Sequence, residues 1–284
     1  MELKKCLTFI GKEIVYGGHL LSLGGVSIAF VSALILGIAS TLEFHFIVYL
    51  GFQAIYLFNR YQEFSDDRLT NPERTDHLQF IYRWIPVVVC LWLMIFFAVL
   101  IYFEKKAAFY FQAFTISLGL LYSVFLKKMI GRVPGLKGVF VAACWSTAII
   151  FLILYYERPF TWAVLLLIIF TFLRWFVNTT VCDVKDMEDD RRKGIITLPI
   201  FIGLEKLIVC LKVITLVSAL PILVGVYLKL LPPLAGWLLF TVPYSFYYLH
   251  RINRNKNDSF TYNVIIDGEF ILWSVFIVIG TYWH

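Results

Sequence analysis

The sequence predicts an all-α fold, a polytopic membrane helical bundle of about nine transmembrane helices. Three observations carry that prediction: composition, the length of the apolar runs, and the placement of the basic residues. Of 284 residues, 60% are hydrophobic and only 15% are charged, with a mean hydropathy of +0.80. A soluble domain is about half apolar and roughly a quarter charged. So few polar groups cannot cover a water-facing surface, but they suit a surface that meets lipid. The 27 Phe, 16 Tyr and 8 Trp add more aromatic surface than spanning alone requires.

A bilayer crossing needs roughly 20 apolar residues. Candidate stretches are 15–40, 43–58, 81–103, 107–126, 138–156, 159–181, 205–228, 231–249 and 264–282. The short links at 40–43, 104–106 and 157–158 predict tight hairpins. With the N-terminus in the cytoplasm, the inside segments hold 19 Lys and Arg and the outside segments only 4. Such a bias sets orientation, and an odd number of crossings puts the C-terminus outside. It also explains the net charge of +6 without nucleic acid as a partner. The opening MELKKCLTFIGKE has too short an apolar run for a signal-peptide core, so no cleavage is expected. The five cysteines are scattered, which suggests neither a disulfide framework nor a zinc site. Nothing marks a second domain, so residues 1–284 read as one.

The acidic residues gather in two clusters. Residues 59–76 hold Glu63, Asp66, Asp67, Glu73 and Asp76, and residues 183–190 hold Asp183, Asp186, Glu188, Asp189 and Asp190. Each follows an apolar stretch on the same predicted side of the membrane. Asn59, Glu63 and Asp67 are spaced i, i+4, i+8; Asp183, Asp186 and Asp190 are spaced i, i+3, i+7. Each set is therefore expected on one helix face. Stacked anions near a helix C-terminus are disfavoured twice, by each other and by the macrodipole. A bound cation reverses both terms, and carboxylate and amide oxygens are hard ligands suited to Mg2+. The clusters are also in register: Glu63 to Asp186, Asp67 to Asp190 and Arg68 to Arg191 are each 123 positions apart. That spacing suggests a diverged four-helix repeat, in which Asn59 falls opposite Cys182. The plainer alternative is a pair of solvated loops whose acids balance nearby Lys and Arg.

The stretches NRYQEFSDDRLTNPER (59–74) and DVKDMEDDRRKGIITLP (183–199) resemble the first and second Asp-rich motifs of the UbiA-type superfamily of intramembrane prenyltransferases. The likeness extends to Gly194 and Thr197-Leu198-Pro199. It implies a bundle around a central cavity, with both motifs facing each other at its cytoplasmic mouth. It further implies two Mg2+ ions holding the diphosphate of an isoprenyl donor. Carried over by position, Asn59, Glu63, Asp67, Asp183, Asp186 and Asp190 form the metal–diphosphate set, with Asp67, Asp186 and Asp190 as its catalytic acids. Glu63 departs from the family's usual Asp. In LYSVFLKK, the resemblance makes Tyr122, Ser123 and Lys127 candidates for contacting diphosphate oxygens, with plain orientation signal as the other reading of Lys127. Arg68 and Arg191 could neutralise phosphate or pair with neighbouring acids.

Arg174 lies inside a span. A mid-membrane charge costs roughly 2.5–3.5 kcal/mol on insertion scales and faces a cavity or a partner. Its helix face, with Asn178 and Cys182, leads toward the second motif, so it is expected at the cavity mouth as a substrate-binding residue. The resemblance implies prenyl transfer within the membrane to a small lipophilic or aromatic acceptor such as a quinone-precursor ring. An aromatic-lined cavity would shield the allylic cation. Competing readings are a terpene cyclase or phosphoribosyl transferase of the same fold, and a membrane transporter. A transporter's acids belong near mid-membrane at broken helices, whereas these end the apolar stretches at one face.

Overall fold

The computed structural model describes residues 2–283, and their side chains except at 2–5, 66, 67, 69, 70 and 126–128. The chain begins with α1 (Glu2–Tyr16) and α2 (His19–Ile35), which meet at an angle of 60°. Gly18 makes that break possible: its φ of +89° lies in the left-handed region that a side chain disfavours. Then follow α3 (Leu42–Thr70), α4 (Pro72–Leu78), α5 (Ile85–Tyr102) after a 3-10 turn, and α6 (Lys106–Leu121). A π segment at Tyr122–Leu126 leads to α7 (Lys127–Ile130), then to α8 (Leu136–Tyr155) and α9 (Trp162–Cys182). Two short helices, α10 (Met187–Arg192) and α11 (Leu198–Ile202), precede α12 (Leu204–Tyr227). A 3-10 segment at Pro233–Phe240 enters α13 (Thr241–Arg254), and a second π segment at Thr261–Ile266 enters α14 (Glu269–Thr281). Among the described residues there is no strand.

Each of the nine apolar stretches is helical, but the count of nine crossings is not established. Among the described residues five helices are long and apolar enough to span a membrane, or six if the bent pair at the N-terminus counts as one. The reasons for the shortfall are local. The helix α3 joins an apolar half to an acid-bearing half, and the last two stretches are interrupted by 3-10 and π geometry, leaving α14 with 13 residues.

Packing follows burial. In α8 and α9, 56% of the spanning window is buried, against 22% in the α5 span and 17% in the α6 span. The first two are therefore central and the last two peripheral, with outer faces left to lipid. The neighbour pairs close into a ring: α2 on α3, α3 on α6, α6 on α8, α8 on α9, α9 on α12, α12 on α13, α13 on α14, and α14 back on α2.

The expected hairpins at 104–106 and 157–158 share one cap, which recurs after α12. Glu104, Glu157 and Lys229 take positive φ of 55°, 53° and 57° just past α5, α8 and α12. In each case the next amide reaches back to the carbonyl five residues earlier: Lys105 N to Leu100 O at 2.9 Å, Arg158 N to Ile153 O at 2.9 Å and Leu230 N to Gly225 O at 2.8 Å. This satisfies carbonyls that a helix end otherwise leaves orphaned. Lys105 also reaches across to Glu157, 2.9 Å away, joining two of these turns.

Candidate active site

A cavity of about 500 Å3 opens where α3, α8, α9 and α10 converge. It gathers most of the residues singled out above. Asn59, Glu63, Tyr122, Ser123, Asp183, Asp186 and Asp190 all line it. Glu63 and Asp186 thus share one space although 123 positions separate them. The side chains of Asp67 and Lys127 lie outside the described residues.

The first motif is helical as expected. Within α3, the Asn59 amide donates to Glu63 Oε2 at 3.1 Å across one turn. The second motif departs from expectation. The helix α9 stops at Cys182, Asp183 caps it, and Asp186 is the residue before α10. Asp183, Asp186 and Asp190 therefore do not lie on one continuous helix face; a turn bends them round the cavity instead. Glu188, Asp189 and Asp190 occupy the first turn of α10, where the macrodipole favours rather than disfavours anions. Gly194 closes α10 with φ +69°, the Ile195 amide returning to Asp190 O at 2.9 Å and the Gly194 amide to Arg191 O at 3.2 Å. No atom lies within 4 Å of where a Cβ at Gly194 would sit, so the backbone conformation alone requires glycine there. The next amide, Ile196 N, bonds Gly131 O at 2.6 Å and pins this loop to the link before α8.

Both π segments border the cavity. Tyr122 and Ser123 come from the first; Asn263 comes from the second, with Asp267 just after it. Such widened turns redirect side chains and recur at functional sites. Ser123 Oγ donates back to Gly119 O at 3.3 Å, and the Tyr122 ring stacks on Phe140 with centroids 4.7 Å apart.

Arg174 is a correction. Its side chain is 0% exposed and does not line the cavity. Instead Nε donates to Glu269 Oε1 at 2.9 Å and Nη2 to Thr241 O at 3.0 Å, with further bonds from Nη2 to Glu269 and Ser245. Tyr248 completes the knot by donating to Glu269 Oε2 at 2.9 Å. A charge in the membrane needed a partner or a cavity; the partner lies 95 residues away on α14, where no local pattern announces it. Arg68 and Arg191 are exposed and stand off the cavity lining.

Other cations line the cavity instead: Arg60, Arg74, Lys137, Lys185 and Lys193. In the sequence all five read only as part of the basic bias that sets orientation. Lys137 Nζ lies 2.6 Å from Asp183 Oδ1 and 3.9 Å from Asp190 Oδ2, and Lys193 pairs with Asp189 at 2.6 Å. Asn178, one turn beyond Arg174 on α9's path to the motif, also lines the cavity while bonding Ile266 O at 2.9 Å.

Deeper in, Trp145 of α8 and Trp175 of α9 line the same cavity. Trp175 precedes Asp183 by eight residues, about 12 Å along a helix axis. The two rings belong to a stacked column, Phe52–Trp145–Trp175–Phe270, with successive centroids 4.3, 3.7 and 3.9 Å apart. Their faces are therefore largely covered by one another. The column closes the inner end of the cavity with a rigid apolar wall. Beside it, an apolar side pocket of about 90 Å3 runs between α3, α5, α6 and α8, and shares Ile55, Tyr56, Gly119, Cys144 and Trp145 with the main cavity.

The donor chemistry fits a hard divalent cation, since Glu63, Asp183, Asp186 and Asp190 offer carboxylate oxygens to one space. Among the described residues, however, no three acidic, His or Cys side chains converge into a ready-made metal cage. Mg2+ does not need one: it is usually held by one or two carboxylates together with substrate phosphates.

Fold and cavity together define an integral membrane protein with a charged pocket at the ends of its central helices. The sequence matches the UbiA prenyltransferase family over residues 14–275, and the chain belongs to that family as a prenyltransferase. No curated protein matches the sequence. Among solved structures, the chain is similar to a UbiA homolog from Aeropyrum pernix K1 (15% identity, 92% of this chain and 97% of that one, TM-score 0.68). It is also similar to a UbiA homolog from Archaeoglobus fulgidus bound to DMAPP and Mg2+ (16%, 95% and 98%, 0.66). A third likeness is to a digeranylgeranylglyceryl phosphate synthase (16%, 98% and 97%, 0.56). At these identities the likeness is one of fold.

Proposed function

We propose that the protein transfers a prenyl group from an isoprenyl diphosphate to a small lipophilic or aromatic acceptor, with Mg2+ as cofactor. The observation that carries this reading is the meeting of both acidic motifs in one cavity with an apolar inner wall. The A. fulgidus homolog bound to DMAPP and Mg2+ supports the donor class and the metal, and a second structure of it bound to GPP and Mg2+ supports a longer donor. In this reading Asn59, Glu63, Asp183, Asp186 and Asp190 hold the metal ions, two by resemblance, and Asp67 joins them on the sequence pattern. When bound, Mg2+ supplies positive charge that stabilises the departing diphosphate.

This chain's own groups do the rest. Lys137, Lys185, Arg60 and Arg74 bring positive charge to the phosphate end of the cavity, while Tyr122 and Ser123 offer hydroxyl donors. The C1–O bond of the donor breaks with its electron pair leaving on diphosphate. An electron pair of the acceptor then forms the new bond to C1, and the acceptor loses a proton. The stacked column and the apolar side pocket exclude water from the allylic fragment and accommodate its hydrocarbon. By the positive-inside rule the N-terminus and the cavity mouth face the cytoplasm and the C-terminus lies outside.

The test is diphosphate release from labelled geranyl, farnesyl and geranylgeranyl diphosphates by detergent-purified protein, with and without Mg2+, across a panel of aromatic acceptors. Asp186→Ala and Asp190→Ala should each lower metal-dependent release by about 100-fold or more, and Glu63→Asp should retain activity. Unchanged release in both alanine variants would overturn the site assignment. A cyclised hydrocarbon from donor alone would replace transfer by cyclisation.

A further inference from the structure

We propose that Lys137 is an internal counter-ion for the second acidic motif, so that metal and diphosphate donor bind as a coupled pair. This deepens the prenyl-transfer reading and rests on it. Lys137 Nζ stands 2.6 Å from Asp183 Oδ1 and 3.9 Å from Asp190 Oδ2, its side chain 17% exposed. One ammonium thus bridges the C-terminal cap of α9 and the first helical turn of α10 from the first turn of α8. The first turn of a helix is an unfavourable place for a cation. The carboxylates, not the helix, hold Lys137 there.

Asp183 and Asp190 are also two of the oxygen donors that a divalent cation would use. An ammonium and a divalent cation drawn to the same oxygens repel each other strongly in a cavity of low dielectric. Metal alone must therefore displace Lys137 from its partners. A diphosphate changes the balance, because its oxygens give the displaced ammonium a new anionic partner in the same cavity. A lysine is suited to this exchange: its charge is a compact point on a flexible stem. Coupling of this kind is reciprocal, so donor tightens metal and metal tightens donor by one common factor, typically 5- to 150-fold. The metal then enters chiefly with the donor to which it is needed.

The experiment measures Mn2+ affinity by electron paramagnetic resonance on monodisperse, detergent-purified protein. It is done with and without saturating geranyl diphosphate, correcting for Mn2+ held by free diphosphate. For the wild type, weak binding alone and at least tenfold tighter binding with donor are expected. Lys137→Met should bind Mn2+ alone at least tenfold tighter than the wild type, and donor should improve that by less than threefold. Lys137→Arg, which keeps the charge, should restore the coupling. Lys137→Gln serves the same comparison if the methionine variant does not fold. Equal or weaker Mn2+ binding by the uncharged variant overturns the role of Lys137, while Mg2+-dependent diphosphate release by the wild type leaves prenyl transfer standing. If the wild type neither binds Mn2+ with donor nor releases diphosphate from any donor, the functional reading fails and takes this proposal with it.

Discussion

Arg174 and Glu269 are both 0% exposed, and the pair shows how a membrane core tolerates charge. Neighbouring polar groups gather on it: Ser245, Tyr248 and the Thr241 carbonyl all bond to one partner or the other. Removing one partner leaves a buried charge uncompensated. Arg174→Met or Glu269→Leu alone is therefore expected to cost about 3–5 kcal/mol of stability. The double variant Arg174→Met/Glu269→Leu should recover most of that loss, because an apolar pair of similar size fills the same space without desolvated charge. Thermal unfolding in detergent measures the difference. Because neither residue lines the cavity, the recovered double variant should also recover activity.

At the scale of elements, α1 is fastened to α2 and α4 by the Glu13 carboxylate and the Tyr16 hydroxyl. Glu13 lies 3.2 Å from His19 Nε2 on α2 and 2.6 Å from His77 Nε2 on α4. His19 Nδ1 in turn meets Tyr49 OH at 2.5 Å, and Tyr16 OH donates to Glu73 at 2.5 Å. The His19 hydrogen bond, helped by His77, holds the Glu13 carboxyl down at about 2 against a burial that acts the other way. A carboxyl lowered on docking contributes stability that is complete above its ordinary value of 4.5 and is lost as pH falls toward about 2. The contribution of this carboxyl to docking α1 should thus weaken as pH falls below about 4.5. Pepsin cleavage beside Tyr16 at the Gly17–Gly18 break, followed from pH 4.5 to pH 2 and normalised to an unstructured peptide of the same sequence, reads this out. A flat profile would mean that Glu13 does not hold the helix. Since Val15 and Tyr16 line the cavity, loosening α1 also opens one wall of the mouth.

The whole molecule is a ring of helices whose charged ends gather at one mouth and whose far side is closed by tight turns. The 19-to-4 split of Lys and Arg between the two sets of connecting segments predicts which side is which. In sealed inverted vesicles, a membrane-impermeant maleimide should label a single-cysteine form retaining Cys6, and should not label a Tyr282→Cys form until the membrane is opened. The reverse pattern would turn the mouth outward.

Composition and periodicity were enough to read an all-helical membrane bundle, because a surface in lipid forces long apolar runs and leaves few alternatives. They also located both acidic motifs, since clustered like charges at the ends of such runs are costly without a ligand. What they missed depended on contacts between distant segments. Lys137 looks like any basic loop residue until α8 is packed beside α9, and Arg174 looks like a cavity residue until α14 supplies Glu269. The break between Asp183 and Asp186 was hidden for a related reason. An i, i+3, i+7 spacing fits one helix as well as a capped helix, a turn and a second helix, and the Schellman turn at Gly194 together with the bond from Ile196 to Gly131 favours the latter. Local pattern determines which residues must be buried, exposed or neutralised. Only the packed bundle decides which partner does the neutralising, because that partner is chosen by distance in space and not along the chain.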